Sequence, residues 1–131
     1  MSAQEWIARL EAGWKALDPE RIAALFTPDA VYHQGPFGTP HVGCEAIRNH
    51  WIGSLSRQVD PKVWFGKPIE SEDCASVEWW CILHDPVTLT PRTASGVVTL
   101  RFAPDGRCTR FHEYWHAVQD TSLEPPEGWF S

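Results

Sequence analysis

Residues 108–119 read Cys108-Thr109-Arg110-Phe111-His112-Glu113-Tyr114-Trp115-His116-Ala117-Val118-Gln119, and the fold depends on whether they coil or extend. On a helix, His112-Glu113-x-x-His116 would set two imidazoles one turn apart, ready to share a zinc ion. On a strand the same two residues stand about 13 Å apart, four rises of ~3.3 Å. Bonds of about 2 Å from each nitrogen to one metal are then out of reach. The segment follows Pro104-Asp105-Gly106, a hairpin-turn signal, and is rich in aromatic residues. It therefore reads as the last strand, no metal site is expected, and the two histidines belong to an outer face.

Working back from that strand, residues 93–102 alternate. Ala94, Gly96, Val98, Leu100 and Phe102 share one face, with Thr93, Ser95, Val97, Thr99 and Arg101 on the other. Residues 75–83 form a strand with bulky side chains on both sides, and residues 85–91 form a loop. Val63-Trp64-Phe65 opens the strand region. The first half is helical. Trp6, Leu10, Trp14 and Leu17 recur at helical spacing and predict a helix over about residues 3–17. Asp18-Pro19-Glu20 starts a second, short helix with Ile22, Leu25 and Phe26 on its apolar side, and Thr27-Pro28 stops it. A short strand spans residues 30–33, residues 35–40 form a Gly-Pro loop, and a third helix carries Ile47, Trp51 and Leu55. Three helices followed by antiparallel strands make an α+β domain, with the helices on one sheet face. Residues 1–119 form that single domain and residues 120–131 a C-terminal tail.

Composition narrows the function classes. With 131 residues the chain suits one domain. Asp plus Glu exceeds Lys plus Arg by 17 to 11, a net charge of −6, which argues against a nucleic-acid or anionic-membrane partner. No apolar run approaches a membrane span, and the start lacks a secretory pattern, so a cytoplasmic protein is expected. Cys44, Cys74, Cys81 and Cys108 show no CxxC pair and read as free thiols. Eight tryptophans are many for one small core. Either they are scattered through core and surface, or some line a cavity or a subunit interface.

Period-two alternation on the last strand puts Phe111, Glu113, Trp115 and Ala117 together. The set is apolar except for Glu113, and it should face the helices. A carboxyl in such a place loses hydration, its pKa rises, and it becomes a candidate general acid or base. The plain structural alternative ties it to a backbone N–H or an arginine. His33 is a second acid/base candidate, or else a capping or surface residue. Gln34 beside it could orient a ligand. His50 reads as a helix-edge residue.

The order of elements resembles the nuclear transport factor 2-like superfamily, which includes SnoaL-like polyketide cyclases and ketosteroid isomerase. The carrying residues run from Asp18-Pro19-Glu20-Arg21-Ile22 through Leu25-Phe26-Thr27-Pro28-Asp29-Ala30. Pro36-Phe37-Gly38, Gly43-Cys44-Glu45-Ala46-Ile47, and Asp105-Gly106-Arg107 into Glu113-Tyr114-Trp115 complete them. The resemblance implies a cone-shaped fold, with three N-terminal helices on the concave face of a strongly bent, mainly antiparallel sheet. It also implies a pocket between them and a homodimer through the outer sheet face. Ketosteroid isomerase has its base where Gly35 stands, its oxyanion-hole acid at Val98, and a helix-one Tyr near Leu10, so steroid isomerisation is not expected. Limonene epoxide hydrolase has an Asp at the position of Glu113, but its Arg and second Asp fall near Trp79 and Cys81. What the resemblance leaves is one carboxylate at a position relatives use for catalysis.

By the same resemblance the pocket wall holds Trp14, Trp51, Val77, Trp79, Cys81, Val98, Phe111 and Trp115, while Trp80, Ile82 and Tyr114 turn outward to a dimer partner. The expected ligand is a small hydrophobic or aromatic molecule, flat and even polycyclic, with no cofactor. Proton transfer by Glu113 would suffice for an isomerase, cyclase or dehydratase. A non-catalytic small-molecule-binding dimer is the alternative, and a scaffold filled by its own tryptophans is a third.

Overall fold

The computed structural model describes residues 1–131. Helix α1 (Ala3–Lys15) starts at Ser2, whose hydroxyl accepts from the Glu5 N–H at 3.1 Å. Its buried stripe is Trp6, Ile7, Leu10, Gly13 and Trp14. Helix α2 (Pro19–Ala23) starts at Asp18, which accepts from the Arg21 N–H. Gly13 lets the two helices touch, since a Cβ there would lie 2.9 Å from Ile22 Cγ1. Helix α3 spans Cys44–Ser56 and buries Ile47, Trp51 and Leu55. No helix is long and apolar enough to cross a membrane.

Seven strands make up the rest, two of them ahead of α3: β1 (Phe26–Gln34), β2 (His41–Val42), β3 (Val59–Phe65), β4 (Ile69–Ser71), β5 (Cys74–His84), β6 (Pro91–Phe102) and β7 (Cys108–Gln119). They form one sheet in the order β2-β1-β7-β6-β5-β3, with β4 on β5. Every pairing is antiparallel except β1 with β7. The His112–His116 segment is thus extended, paired with Thr99 through Ser95. The α+β cone architecture expected from the sequence is the one observed.

Four boundaries differ from the sequence reading. α1 ends at Lys15, because Leu17 takes φ +52° and turns the chain into α2. α2 stops at Ala23, and Phe26 belongs to β1 rather than to the helix. Strand β1 runs through Pro28, which has no N–H to give; its register with β7 shifts between Phe26 and Val31. β3 begins at Val59, ahead of Val63.

The core gathers where α1 lies on β1, β6 and β7. Trp6 is fully buried against Phe26, Phe102 and Phe111, and its indole N–H donates to the Leu25 carbonyl at 2.9 Å. That carbonyl also accepts from the Cys108 N–H at 2.8 Å. Trp6→Phe should therefore orphan no acceptor, and should cost only about 1–2 kcal/mol through the lost bond and ring volume. Urea denaturation checks this, and a loss much beyond that range would mean the bond anchors the α2–β1 connection.

The other sheet face is partly covered by the chain itself. The Trp80 indole donates to the Leu123 carbonyl at 2.8 Å and meets Trp129 edge-on at 5.4 Å. The Thr93 hydroxyl donates to the Thr121 carbonyl, and Leu123 N–H donates back to it. Trp80 and Ile82 were expected to face a partner subunit. Instead Trp80 is taken by residues 123 and 129 of its own chain, and Ile82 is buried on this face outside the main core cluster. Tyr114 stays exposed.

Candidate functional site

A cavity of about 90 Å³ opens between α3, the end of α1 and the sheet. Each wall follows from strand alternation. On β7, Glu113 and Trp115 point in. On β1, Tyr32 and Gln34 point in, and parallel register sets Gln34 beside Glu113. Strand β5 supplies Trp79, Cys81 and Leu83, and β6 supplies Arg92 and Ala94. Helix α3 adds His50, Trp51 and Ser54, with Trp14 and Gln58 beside them. The inner end narrows to a crevice of about 10 Å³ reached by Leu10, Phe65, Val98 and Phe111, with Glu113 at its border.

The Glu113 carboxyl is crowded by protein, and the residue lines this cavity and its inner crevice and also borders, with His33 and His112, an outer pocket of about 200 Å³. Its carboxyl has no ion pair and no hydrogen-bond partner among the protein groups. Lost hydration with nothing in exchange raises it from the ordinary 4.5 to about 7. Burial drives the neighbours to neutrality as well. Tyr32, stacked on Phe111 at 4.3 Å, is held well above the usual phenol range by burial and then by Glu113. The Cys81 thiol is pushed up to about 12. His50, stacked on His41 at 4.4 Å, falls to about 4 through burial, then through His41 and Arg57. The cavity thus pairs a carboxyl that titrates near neutrality with an imidazole kept uncharged.

Hydrogen bonding is uneven around this space. Gln58 is pinned, accepting from the Trp14 indole at 2.8 Å and donating to the Ser54 carbonyl at 3.1 Å. By contrast, Trp51 Nε1, Trp79 Nε1 and Arg92 Nε are buried without a well-formed hydrogen bond, the Tyr32 hydroxyl lying beside the Trp51 indole.

Of the residues anticipated from sequence, Glu113, Gln34, Trp14, Trp51, Trp79, Cys81 and Trp115 meet at the cavity, and Val98 and Phe111 at its inner crevice. His33 does not. Its neighbours Tyr32 and Gln34 face in, so His33 faces out, and its ring meets His112 edge-on at 4.6 Å. It borders instead, with His112, a separate outer pocket of about 200 Å³ that Glu113 also reaches. Val77 belongs to the core, away from the cavity wall. Seven cavity residues were missed: Tyr32, His50, Ser54, Gln58, Leu83, Arg92 and Ala94. Tyr32 was legible as the same-face neighbour of Gln34, and His50 as the neighbour of Trp51. Gln58 and Arg92 carry no local signal, since one sits just past a helix end and the other starts a long strand.

Comparison with solved structures finds the same fold. The epoxide hydrolase/cyclase-like enzyme SalBIII, described for its role in pyran ring formation in the polyether salinomycin, aligns with a TM-score of 0.76 at 15% identity. The alignment covers 86% of this chain and 89% of that one. A hypothetical protein with a ketosteroid isomerase-like fold from Catenulispora acidiphila DSM 44928, in complex with trimethylamine, aligns at 0.76 with 20% identity, covering 86% of each chain. An NTF2-like protein of unknown function from Exiguobacterium sp. 255-15 aligns at 0.72 with 16% identity, covering 85% of this chain and 98% of that one. No curated protein sequence matches the chain. The SnoaL-like domain model matches residues 3–111, most of the chain, and with the bent sheet and its three covering helices this places the protein in the SnoaL-like domain family.

Proposed function

We infer that this SnoaL-like protein is an enzyme that binds a small, largely apolar molecule in the tryptophan-walled cavity and transfers a proton through Glu113. The observation that carries this is the carboxyl itself, enclosed, unpaired and pushed up to about 7. Such a group exchanges protons readily at neutral pH, which isomerisation, cyclisation and dehydration all require. A glutamate kept for structure would be expected in an ion pair or tied to a backbone N–H, and Glu113 has neither. The neutral His50 and Cys81 add no competing charge beside it. The ring-forming role described for SalBIII is of the same kind.

Cavity size bears on the ligand. A dry cavity of about 150 Å³ accepts benzene, so 90 Å³ favours a compact molecule smaller than a benzene ring over the flat polycyclic one expected from sequence. The reading includes a homodimer through the part of the outer face that the tail leaves bare, where Tyr114 and Val118 are about half exposed. Light scattering of the purified protein tests that part.

The test of the chemistry is Glu113→Gln, which keeps shape and removes the titrating group. Both forms are incubated with small ketones, epoxides and hydroxy acids of about six heavy atoms or fewer, and products are followed by NMR. The expected result is conversion of at least one compound by the native protein, at least about 100-fold slower in the variant, with the ligand-induced rise in Tm retained. Equal rates in both forms would remove Glu113 from the mechanism. Binding without conversion across the panel would leave a small-molecule-binding module.

A further inference from the structure

A guanidinium cannot shed its charge in a protein, so one drawn away from water normally has a carboxylate beside it. Arg92 has none. The ion pairs of the chain join Lys15 to Glu11, Arg48 to Glu20, Arg101 to Asp73 and Arg107 to Asp105. Hydrogen bonds from basic side chains come from Lys15, Arg48 and Arg107 alone. Arg92 Nε is buried without a partner, so the head of the side chain is held against protein rather than swung out into water. Nη1 and Nη2 are not sealed in this way, and nothing occupies them. The residue lines the cavity that holds Glu113. Arg92 stands near the start of β6, and Glu113 stands opposite Val98, six residues farther along that strand. Ala94 lies between them, with Cys81 across from it on β5. Burial raises the Cys81 thiol, Arg92 works against that rise and Glu113 adds to it, so both charges lie within reach of one inner-wall side chain.

We propose that Arg92 anchors a small monocarboxylate, which lies in the cavity with its acid group on the guanidinium and its hydrocarbon end along Cys81 and Ala94 toward Glu113. The Nη1–Nη2 edge offers two parallel N–H groups, and a carboxylate accepts both at once. Ser54 on α3 lines the same space, and its hydroxyl, which accepts from Gln58 at 3.5 Å, has its own proton left to give. A single negative charge fits best, because Arg92 is the one cation of the wall and His50 is kept uncharged. A phosphate dianion would bring a second charge with nothing to balance it. The anchor rests on the proposed use of the cavity as a ligand site, and not on Glu113 performing chemistry. Among the compounds Glu113 would act on, it selects hydroxy acids over ketones and epoxides.

Propionate is the probe, with propionamide as the uncharged compound of the same shape. Both are titrated into ¹⁵N-labelled protein at about pH 6, where the acid is ionised and most of Glu113 is not. The expected result is saturable binding of propionate, at least about 10-fold tighter than that of the amide. The signals that move should be those of Ser54, Cys81, Leu83 and Ala94. Arg92→Gln should abolish the preference, and Arg92→Lys should weaken it, since an ammonium lacks the fork. Arg110→Gln, on an exposed residue of the outer face, should change nothing. Equal affinities for the two compounds, no binding of either, or unchanged propionate binding in Arg92→Gln would overturn the anchor. So would shifts confined to the outer face, or loss of binding in Arg110→Gln. Should Arg92→Gln fail to fold, the two probes on native protein and the position of the shifted signals still decide. A propionate preference with equal turnover in native protein and Glu113→Gln would defeat the catalytic reading alone. Turnover lost in Glu113→Gln with no propionate preference would defeat the anchor alone.

Discussion

Gly96→Val is expected to yield no folded domain at 37 °C, and Gly96→Ala a domain whose Tm is lower by 10 °C or so. The cause is space. A Cβ on Gly96 would sit 2.8 Å from Trp115 Cα and 2.9 Å from its Cβ, and closer still to the Tyr114 carbonyl oxygen. Those are backbone or near-backbone atoms, which cannot swing aside. Trp115 lies opposite Gly96 in the β6–β7 ladder, and two residues earlier β7 is bonded to β1, where Gly35 N–H donates to the Glu113 carbonyl at 3.0 Å. Room for a methyl would thus mean prising β7 from one neighbour while the other holds it. Overfilling a core costs about 1–3 kcal/mol when side chains alone adjust, and a shifted central strand should exceed that, against a total stability of about 5–15 kcal/mol. Gly66→Ala is the matched control. Its new Cβ would meet Phe130 Cδ1 at 2.9 Å, a ring on the exposed tail that can move, so a small effect is expected. Thermal melts of the three variants check the contrast, and an alanine at 96 as stable as glycine would refute it.

The second large effect is in the pH dependence of stability. Glu113 has a folded-state pKa of about 7 against an ordinary 4.5, so folding takes up a proton between those values. Its contribution is present below about 4.5 and lost as pH rises through 7. Two and a half units correspond to about 3 kcal/mol. His50 runs the other way. Its pKa falls from 6.5 to about 4, so its contribution is present above 6.5 and lost as pH falls through 4. The two oppose each other between about pH 4.5 and 6.5, and the native protein should show little net slope there. His50 is less enclosed, so its share is the smaller. Glu113→Gln removes one side of the balance. The variant should match the native protein near pH 4 and exceed it by about 3 kcal/mol near pH 8, where the native carboxyl must ionise in the cavity. His112, also lowered by burial, is present in both forms and cancels in the difference. Urea titrations at several pH values provide the measurement, and a difference that does not vary with pH would show that Glu113 is hydrated after all.

Much of this arrangement was legible because it repeats at short range. The alternation on residues 93–102 and 108–119 settled two long strands, and with them the inward direction of Glu113. Trp6, Leu10 and Trp14 settled α1. The failures share a physical origin in distant contacts. Local signals around Thr27-Pro28 mark the end of a helix, and only pairing with a strand some eighty residues away draws Phe26 and Thr27 into β1. His33 and Gln34 could not be told apart until that pairing gave β1 a face. Arg92 and Gln58 join the cavity through packing that no sequence window contains. The lack of a carboxylate beside Arg92 is likewise invisible locally, since it depends on what every neighbour fails to offer.

The last strand to be made occupies the middle of the sheet, between β1 and β6. During synthesis, then, the three helices and the other six strands emerge before the strand that joins β1 to β6. β1, made early, waits for a mate almost the whole length of the polypeptide, and such distant pairing is slow. A protein shortened by the dozen residues of β7 would lose an edge on both sides of the gap, not a fringe. Glu113 travels on that same strand, so the reactive group arrives only with the piece that completes the scaffold, and no half-built intermediate carries it.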